Sequence, residues 1–263
     1  MRVRCVTFDI AGTLARLASP QSKVYNKPLN DALRHYNLAV PPADVMKAAF
    51  RAANARTNKD LPNFGAAAGL SEREWWQQLV RATLVEAGFN LHPITFDLVF
   101  QRAYSSFGTA GTWAENSDAL LAMSHAKTMG LVVGAVCNSY HRYVDNNLPA
   151  LGLSEHLDFA VLSHQEDVAK PSGAIFDVAA HRAAHVWRLL HGGREQPLAP
   201  SEVVHVGSSL REDYLGAKRW GAAAALLFDP NGRHAAHEEL CESDVMHSLA
   251  ELPARLDALA ADE

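Results

Sequence analysis

Cysteine is scarce: Cys5, Cys137 and Cys241 are the only three in 263 positions. They are too few and too scattered for a disulfide framework or a zinc ribbon, and they suit a reducing compartment. No apolar run approaches the ~18 residues of a membrane-spanning helix. The N-terminus lacks the apolar h-region of a secretory signal and the Arg-rich amphipathy of a mitochondrial leader. The expectation is a cytoplasmic chain with no membrane partner, although a leader removed earlier would leave no trace. Excess positive charge is also missing. With 24 Lys and Arg against 29 Asp and Glu, the formal net charge is −5, which argues against a grip on the phosphate backbone of nucleic acid. Hydrophobic residues at 48% and charged residues at 20% are ordinary for a soluble fold. They exclude disorder, collagen and low complexity, and the length allows one large domain or two small ones.

What is present is a rhythm. Short apolar runs recur at Cys5–Phe8, Leu131–Val136, Phe159–Leu162, Val203–Val206 and Ala222–Phe228. Between the later ones lie amphipathic stretches, Ser117–Met129, Gly173–Leu190 and Tyr214–Trp220. Strands apolar on both faces, alternating with helices, predict a parallel sheet covered on both sides. In such an open α/β fold the functional residues gather at the carboxyl ends of the strands. Residues 17–112 break the rhythm: Pro28–Tyr36, Pro42–Asn58, Ser71–Ala87 and Ile94–Ser106 read as helices, with Leu61–Gly65 a turn. Ser71-Glu72-Arg73-Glu74 has the form of a capping box. The pattern predicts an α/β core from residues 1–16 and 113–263, with a helical module inserted at 17–112.

Four of the strand ends carry chemistry. The first run leads into Asp9-Ile10-Ala11-Gly12-Thr13, a carboxylate before a glycine-containing turn. The second leads into Cys137-Asn138-Ser139, the third into a loop with Lys170-Pro171, and the fourth into Gly207-Ser208-Ser209-Leu210-Arg211-Glu212-Asp213. Asp at a strand end is a common cap and means little alone. The ordered set is far more specific, and it resembles the haloacid dehalogenase (HAD) superfamily along nearly the whole chain.

That resemblance implies a Rossmann-like core with an inserted helical cap of the C1 type. It also implies a chemistry in which an Asp attacks phosphorus or carbon and water hydrolyses the covalent intermediate. On this sequence the implied catalytic residues are Asp9 as nucleophile, Thr13 as its orienting partner and Lys170 as its charge support. Cys137, Asn138 and Ser208 fall at anion-binding positions, and Arg51, following Phe50 in the module, is a candidate halide or carboxylate acceptor. Two family residues are replaced. Ala11 stands where phosphatases carry their acid–base Asp, whose loss costs roughly 10²–10⁴-fold. Ser208 stands where they carry a direct Mg²⁺ ligand, and a hard dication wants carboxylates. Asp9, the Ala11 carbonyl and Asp213 are left to hold Mg²⁺ weakly or not at all, with Glu212 a substitute ligand.

Two readings follow, and both take a small anionic substrate or a protein partner. The preferred one is a HAD protein impaired as a phosphatase and retained as a binding or interaction module. The alternative is a metal-independent hydrolase of the 2-haloacid dehalogenase type, in which halide leaves without a proton. Other features read as structural: His181 with His185, and His234 with His237, as solvated surface residues, Trp75 and Trp76 as module core, and Arg188–Gln196 as a surface loop.

Overall fold

The computed structural model describes residues 3–106, 112–193, 196–234 and 237–261. Positions 107–111 of the inserted module, and 194 and 195 of the expected loop Arg188–Gln196, lie outside the described residues. In chain order the strands and α-helices are β1 (Cys5–Phe8), β2 (Ala15–Leu17), α1 (Gln21–His35), α2 (Ala43–Asp60), α3 (Glu72–Glu86) and α4 (Pro93–Ser106). There follow β3 (Trp113–Glu115), α5 (Ala119–Thr128), β4 (Val132–Cys137), α6 (Leu148–Ala150), β5 (Phe159–Leu162), α7 (Ser163–Glu166) and α8 (Gly173–His191). The chain continues through β6 (Val203–Gly207), α9 (Gly216–Trp220), β7 (Ala224–Phe228), β8 (Val245–Met246) and α10 (Leu252–Ala261). It divides into two compact units, Met1–Arg16 with Ala114–Glu263, and Leu17–Trp113. No helix among the described residues is long and apolar enough to cross a membrane.

The first unit is a Rossmann-like six-stranded sheet in the order β5-β4-β1-β6-β7-β8, with every pair parallel. The chain builds outward from β1 first through β4 and β5, then returns to the other side for β6. That reversal makes the carboxyl end of β1 a topological switch point, where open α/β sheets form their ligand crevice. Strands β1, β4 and β6 are buried along their whole length. Their continuous Val-rich runs are what a sheet covered on both faces requires. Helix α8 lies against β4 and β5, presenting Ile175, Phe176, Ala179, Ala180, Ala183 and Ala184 at helical spacing. These small residues let helix and sheet approach closely. Gly134 inside β4 has a similar reason, because a Cβ there would meet the Phe159 ring at 2.2 Å.

The second unit is helical, and its core is aromatic. Helix α3 starts at the capping box, with Ser71 and Glu74 reciprocally bonded. Trp75 and Trp76 are 2% and 6% exposed, so their place is the core of this unit rather than a surface. Their rings meet edge to face, Tyr25 packs on Trp76 and Phe50, and the Trp75 indole donates to the Leu61 carbonyl.

Several boundaries differ from the sequence reading. Helix α1 begins at Gln21 and carries Pro28 inside it, because Val24, Leu29, Ala32 and Leu33 are buried by the same face and packing outweighs the lost hydrogen bond. Asn63–Ala68 form a 3₁₀ turn instead of open loop. Arg188–His191 continue α8, so the expected surface loop starts only at Gly192.

Candidate active site

The geometry begins at the end of β1. Asp9 donates its backbone N–H to the Val206 carbonyl on β6, which fixes the chain as it leaves the sheet. A tight turn follows, with Gly12 N–H on the Ala15 carbonyl and Ala15 N–H on the Ile10 carbonyl. Gly12 has φ +96°, and a Cβ there would stand 2.6 Å from the Ser208 hydroxyl; only glycine meets both demands. Buried Asn116 holds this turn from the side, donating to the Gly12 carbonyl at 3.1 Å and the Thr13 carbonyl at 2.5 Å.

Lys170 is 3% exposed, and all three of its protons have acceptors. They are Asp9 Oδ1 at 2.8 Å, Asp213 Oδ1 at 2.5 Å and the Val136 carbonyl at 2.7 Å. The ammonium is therefore fixed in orientation as well as in place. Burial pulls its pKa down, but the two carboxylates outweigh burial and the net shift is upward. Asn138 clamps the same residue by its backbone, donating to the Lys170 carbonyl and accepting from its N–H at 2.9 and 2.8 Å. This role is additional to the one expected from the sequence. One N–H of its amide is left, and the Glu212 carboxyl takes a hydrogen bond from it, so Asn138 positions Lys170 and also meets an anionic group.

Asp213 reaches the cluster through a π-type turn, Leu210–Leu215, in which Tyr214 N–H bonds the Ser209 carbonyl five residues back. Such turns are frequent at functional sites because they re-aim side chains. The carboxylate lies flat on Gly207, where a Cβ would come within 2.1 Å of Asp213 Cγ. Gly207→Ala should therefore displace Asp213 and lower stability by about 1–3 kcal/mol, read as a fall in the urea midpoint at unchanged slope.

Both oxygens of Asp213 are occupied by protein donors. Oδ1 accepts from Lys170 and from His205 Nε2 at 3.2 Å, and Oδ2 accepts from the Ser209 N–H at 2.8 Å. Burial pushes this carboxyl up, but Lys170 and His205 outweigh it, so its pKa lies well below the ordinary value. Asp9 differs. Burial comes first and Asp213 adds to it; Lys170 only partly opposes them, and the Asp9 pKa is pushed up to about 6. Its second oxygen has a single side-chain partner, the Thr13 hydroxyl at 3.4 Å.

Asp9, Ala11, Cys137, Ser208 and Asp213 all line one small cavity of about 120 Å³, together with Glu212. Cys137 proves to be the last residue of β4 and is 2% exposed, its Sγ 2.8 Å from the Ser139 hydroxyl. Burial pushes the thiol pKa up to about 12, so it is a neutral, weak donor. The Glu212 carboxyl is also raised, because burial outweighs the opposing Lys170 ammonium and the hydrogen bond from Asn138. Arg51 is exposed on α2 and belongs to the second unit. His181 and His185 are exposed on α8.

The oxygen donors lining the cavity are the Asp9, Asp213 and Glu212 carboxyls, the Ala11 backbone and the neutral Ser208 hydroxyl. Mg²⁺ demands near-octahedral oxygen ligands, usually including one or two free carboxylates. Lys170 and His205 share Asp213 Oδ1, and Oδ2 keeps one lone pair beside the Ser209 N–H. Asp9 offers one oxygen, and Ser208 a neutral hydroxyl. Among the described residues no group of three or more His, Cys, Asp or Glu side chains is arranged to hold a metal. His205 and Asn116 escaped the sequence reading, since neither lies in a recognisable motif.

A carboxylate and a lysine at the switch point of a doubly wound parallel sheet define a hydrolase-type α/β crevice. A family model for haloacid dehalogenase-like hydrolases matches residues 3–221, and the chain belongs to that family. It is 32% identical to the zebrafish (Danio rerio) haloacid dehalogenase-like hydrolase domain-containing protein 3 over 97% of this chain and 96% of the relative. The human (Homo sapiens) protein of the same name is 28% identical over 98% and 96%. Among solved structures, a 2-haloacid dehalogenase from Pseudomonas syringae superposes with TM-score 0.67 at 21% identity, covering 97% of this chain and 99% of the other. A HAD phosphatase from Thermococcus onnurineus gives TM-score 0.58 at 18% identity, covering 97% and 98%. These two share the fold.

Proposed function

We propose that this HAD-like hydrolase is impaired as a Mg²⁺-dependent phosphatase, and that its hydrolysis runs through Asp9 without a metal on a small substrate of low charge. The observation that carries the reading is that the two other groups beside Asp9 in the cavity that could have been carboxylates, Ala11 and Ser208, are neutral, while Lys170 holds Asp9 by its first oxygen. Charge arithmetic points the same way. Lys170 is the one cation of the buried cluster, against Asp9 and Asp213. Burial lowers the His205 pKa, so the imidazole is neutral at pH 7. A cluster with net charge −1 repels a phosphate dianion unless a dication intervenes, and the neutral Ala11 and Ser208 give a dication less to bind.

A substrate such as a 2-chloro acid carries one negative charge instead of two, so it meets less repulsion, and its leaving group needs no acid. Asp9 Oδ2 attacks C2, the new C–O bond forms as the C–Cl bond breaks, and chloride leaves with the electron pair. No proton is required, so Ala11 is no handicap. Water then hydrolyses the ester at the Asp9 carboxyl carbon, regenerating the carboxylate and releasing the 2-hydroxy acid. The small cavity and the neutral donors Ser208 and Cys137 suit a monoanion better than a phosphate ester. The helical unit takes the role of cap in this reading. The neutral thiol at Cys137, a weak hydrogen-bond donor, favours a second reading in which the crevice binds an anion or serves a protein partner without turnover.

The test is chloride release from 2-chloropropionate and phosphate release from 4-nitrophenyl phosphate, each with Mg²⁺ and with chelator. Expected are Mg²⁺-independent chloride release, lost in Asp9→Asn, and weak phosphate release. Rapid Mg²⁺-dependent phosphate release that needs Asp9 would overturn the proposal. Binding of 2-chloropropionate without release of either product would favour the second reading.

A further inference from the structure

We infer that His205 is a positioning residue of this site: through Nε2 it holds the Asp213 carboxylate in the orientation that aims the Lys170 ammonium at Asp9. The inference deepens the reading of Asp9 as the reacting group and rests on it.

His205 sits in the middle of β6, 1% exposed, directly opposite Thr7 of β1. A buried imidazole in a sheet costs free energy unless both nitrogens are bonded, and here both are. Nε2 lies 3.2 Å from Asp213 Oδ1 and Nδ1 lies 2.9 Å from the Thr7 hydroxyl. A carboxylate only accepts, so Nε2 must carry the proton. In the neutral ring Nδ1 is then an acceptor and Thr7 the donor. The Thr7 hydroxyl is also 3.3 Å from the Val204 carbonyl, and the imidazole gives its proton the closer destination. Phe176 meets the imidazole at 5.0 Å and 77° and limits its rotation.

The consequence lies at Asp213. Ser209 fixes Oδ2, and Gly207 leaves room for the group to lie flat. Oδ1 is shared by Lys170 and His205. Without Nε2–H the carboxylate can turn toward Lys170 alone, and the ammonium follows it away from Asp9 Oδ1. The chain of contacts starts at Thr7, two residues before Asp9, crosses β6 and returns to Asp9 through Lys170. It therefore closes on itself, and a displacement at His205 is felt at the nucleophile. Misplacement of a reacting group by about 1 Å costs roughly a hundredfold in rate.

The experiment compares wild type, His205→Leu, His205→Gln and Thr7→Val. In Gln the side-chain amide nitrogen takes the place of Nε2 and keeps a donor toward Asp213. On ¹⁵N-labelled protein at pH 7, wild-type His205 should be protonated at Nε2 only, and the Lys170 ammonium should give a slowly exchanging signal. His205→Leu should shift or abolish the Lys170 signal and His205→Gln should retain it. On 2-chloropropionate, kcat should fall roughly tenfold to a hundredfold in His205→Leu, with KM nearly unchanged and most of the loss recovered in His205→Gln. A folded His205→Leu with wild-type Lys170 signal would overturn the inference, as would a wild-type ring protonated at Nδ1 only. Should His205→Leu fail to fold, Thr7→Val carries the same decision. In that variant the ring keeps its Nε2 proton only if Asp213 holds it, so this tautomer with the Lys170 signal retained supports the inference, and a ring protonated at Nδ1 with an unchanged Lys170 signal refutes it. Wild-type protein inert toward 2-chloropropionate would defeat the Asp9 reading, while the nuclear magnetic resonance arm would still decide the role of His205.

Discussion

Replacing Asp213 with Asn is expected to cost about 3–5 kcal/mol at pH 7, while replacing Asp9 with Asn is expected to raise stability at the same pH. The two carboxylates share one lysine but have opposite thermodynamic signs. Asp213 meets three donors with two oxygens. An Asn amide there turns its NH₂ group either on the Ser209 N–H or on Lys170 and His205, so a donor faces a donor whichever way it lies. Its carboxyl is held below the ordinary value by Lys170 and His205 against burial. Its contribution is therefore present above pH ~4 and is lost as pH falls through the folded-state value. Asp9 has the reverse linkage. With the folded-state pKa raised from 3.8 to about 6, the folded protein binds this proton more tightly than the unfolded chain does. Stability falls as pH rises from ~4 through ~6, and above that the full penalty applies, on the order of 2–3 kcal/mol. An Asn side chain still accepts from Lys170 and carries no charge to desolvate. Urea melts of wild type, Asp9→Asn and Asp213→Asn at pH 5 and pH 7.5 check both signs. The advantage of Asp9→Asn should grow with pH. A variant at Asp9 that loses stability at both pH values would mean that the pair with Lys170 outweighs burial. An unfavourable buried charge kept at a reactive position is the stability–activity conflict expected of a working site.

The sheet was legible because its signal is local. Runs such as Val132–Val136 and Val203–Val206 are apolar on both faces, and that pattern has few meanings besides a buried parallel strand. The ends of β1, β4 and β6 then placed Asp9, Cys137 and Ser208 on one side of the sheet, and the 2.8 Å pair of Asp9 with Lys170 agrees with that layout. What stayed hidden depends on contacts between distant residues. Nothing local announces Asn138 as a clamp on Lys170, because the partner lies 32 residues away. His205 sits inside an apolar strand where periodicity describes only a buried position, and its meaning comes from Thr7 and Asp213. Asn116 pins the turn at Gly12 and Thr13 across 103 residues or more. Helix α1 was read too short because Pro28 is a strong local stop signal, overridden by the burial of Leu29 and Leu33. The surroundings of Asp213 stayed hidden in the same way. Its bond to Lys170 spans 43 residues, and no local pattern announces it.

Adding back two carboxylates should produce the largest gain of activity. Ala11 and Ser208 line the same cavity as Asp9, and the Ser208 hydroxyl stands against Gly12 in the turn that follows the nucleophile. Ser208→Asp therefore sets a carboxylate near Asp9 and the Ala11 backbone. These three oxygens plus waters suit Mg²⁺ without any help from Asp213. Ala11→Asp supplies an acid for the leaving oxygen and then a base for water. Each change alone should do little. An acid without a metal still faces a cluster of net negative charge that repels the phosphate dianion, and a metal without the acid leaves an alkoxide to depart unprotonated. Singles are expected to change phosphate release by less than about tenfold, and the double variant to exceed wild type by roughly 10²–10³-fold, more than the product of the singles. Chelator should abolish the gain and leave chloride release by wild type untouched. Calorimetric titration with Mg²⁺ separates binding from turnover, and thermal melts confirm folding. A folded double variant that binds Mg²⁺ and gains nothing would show that the crevice has departed from phosphatase geometry beyond these two positions. The fixed hub of Lys170, Asp213 and His205 would then be serving the holding of an anion or a partner rather than the breaking of a bond.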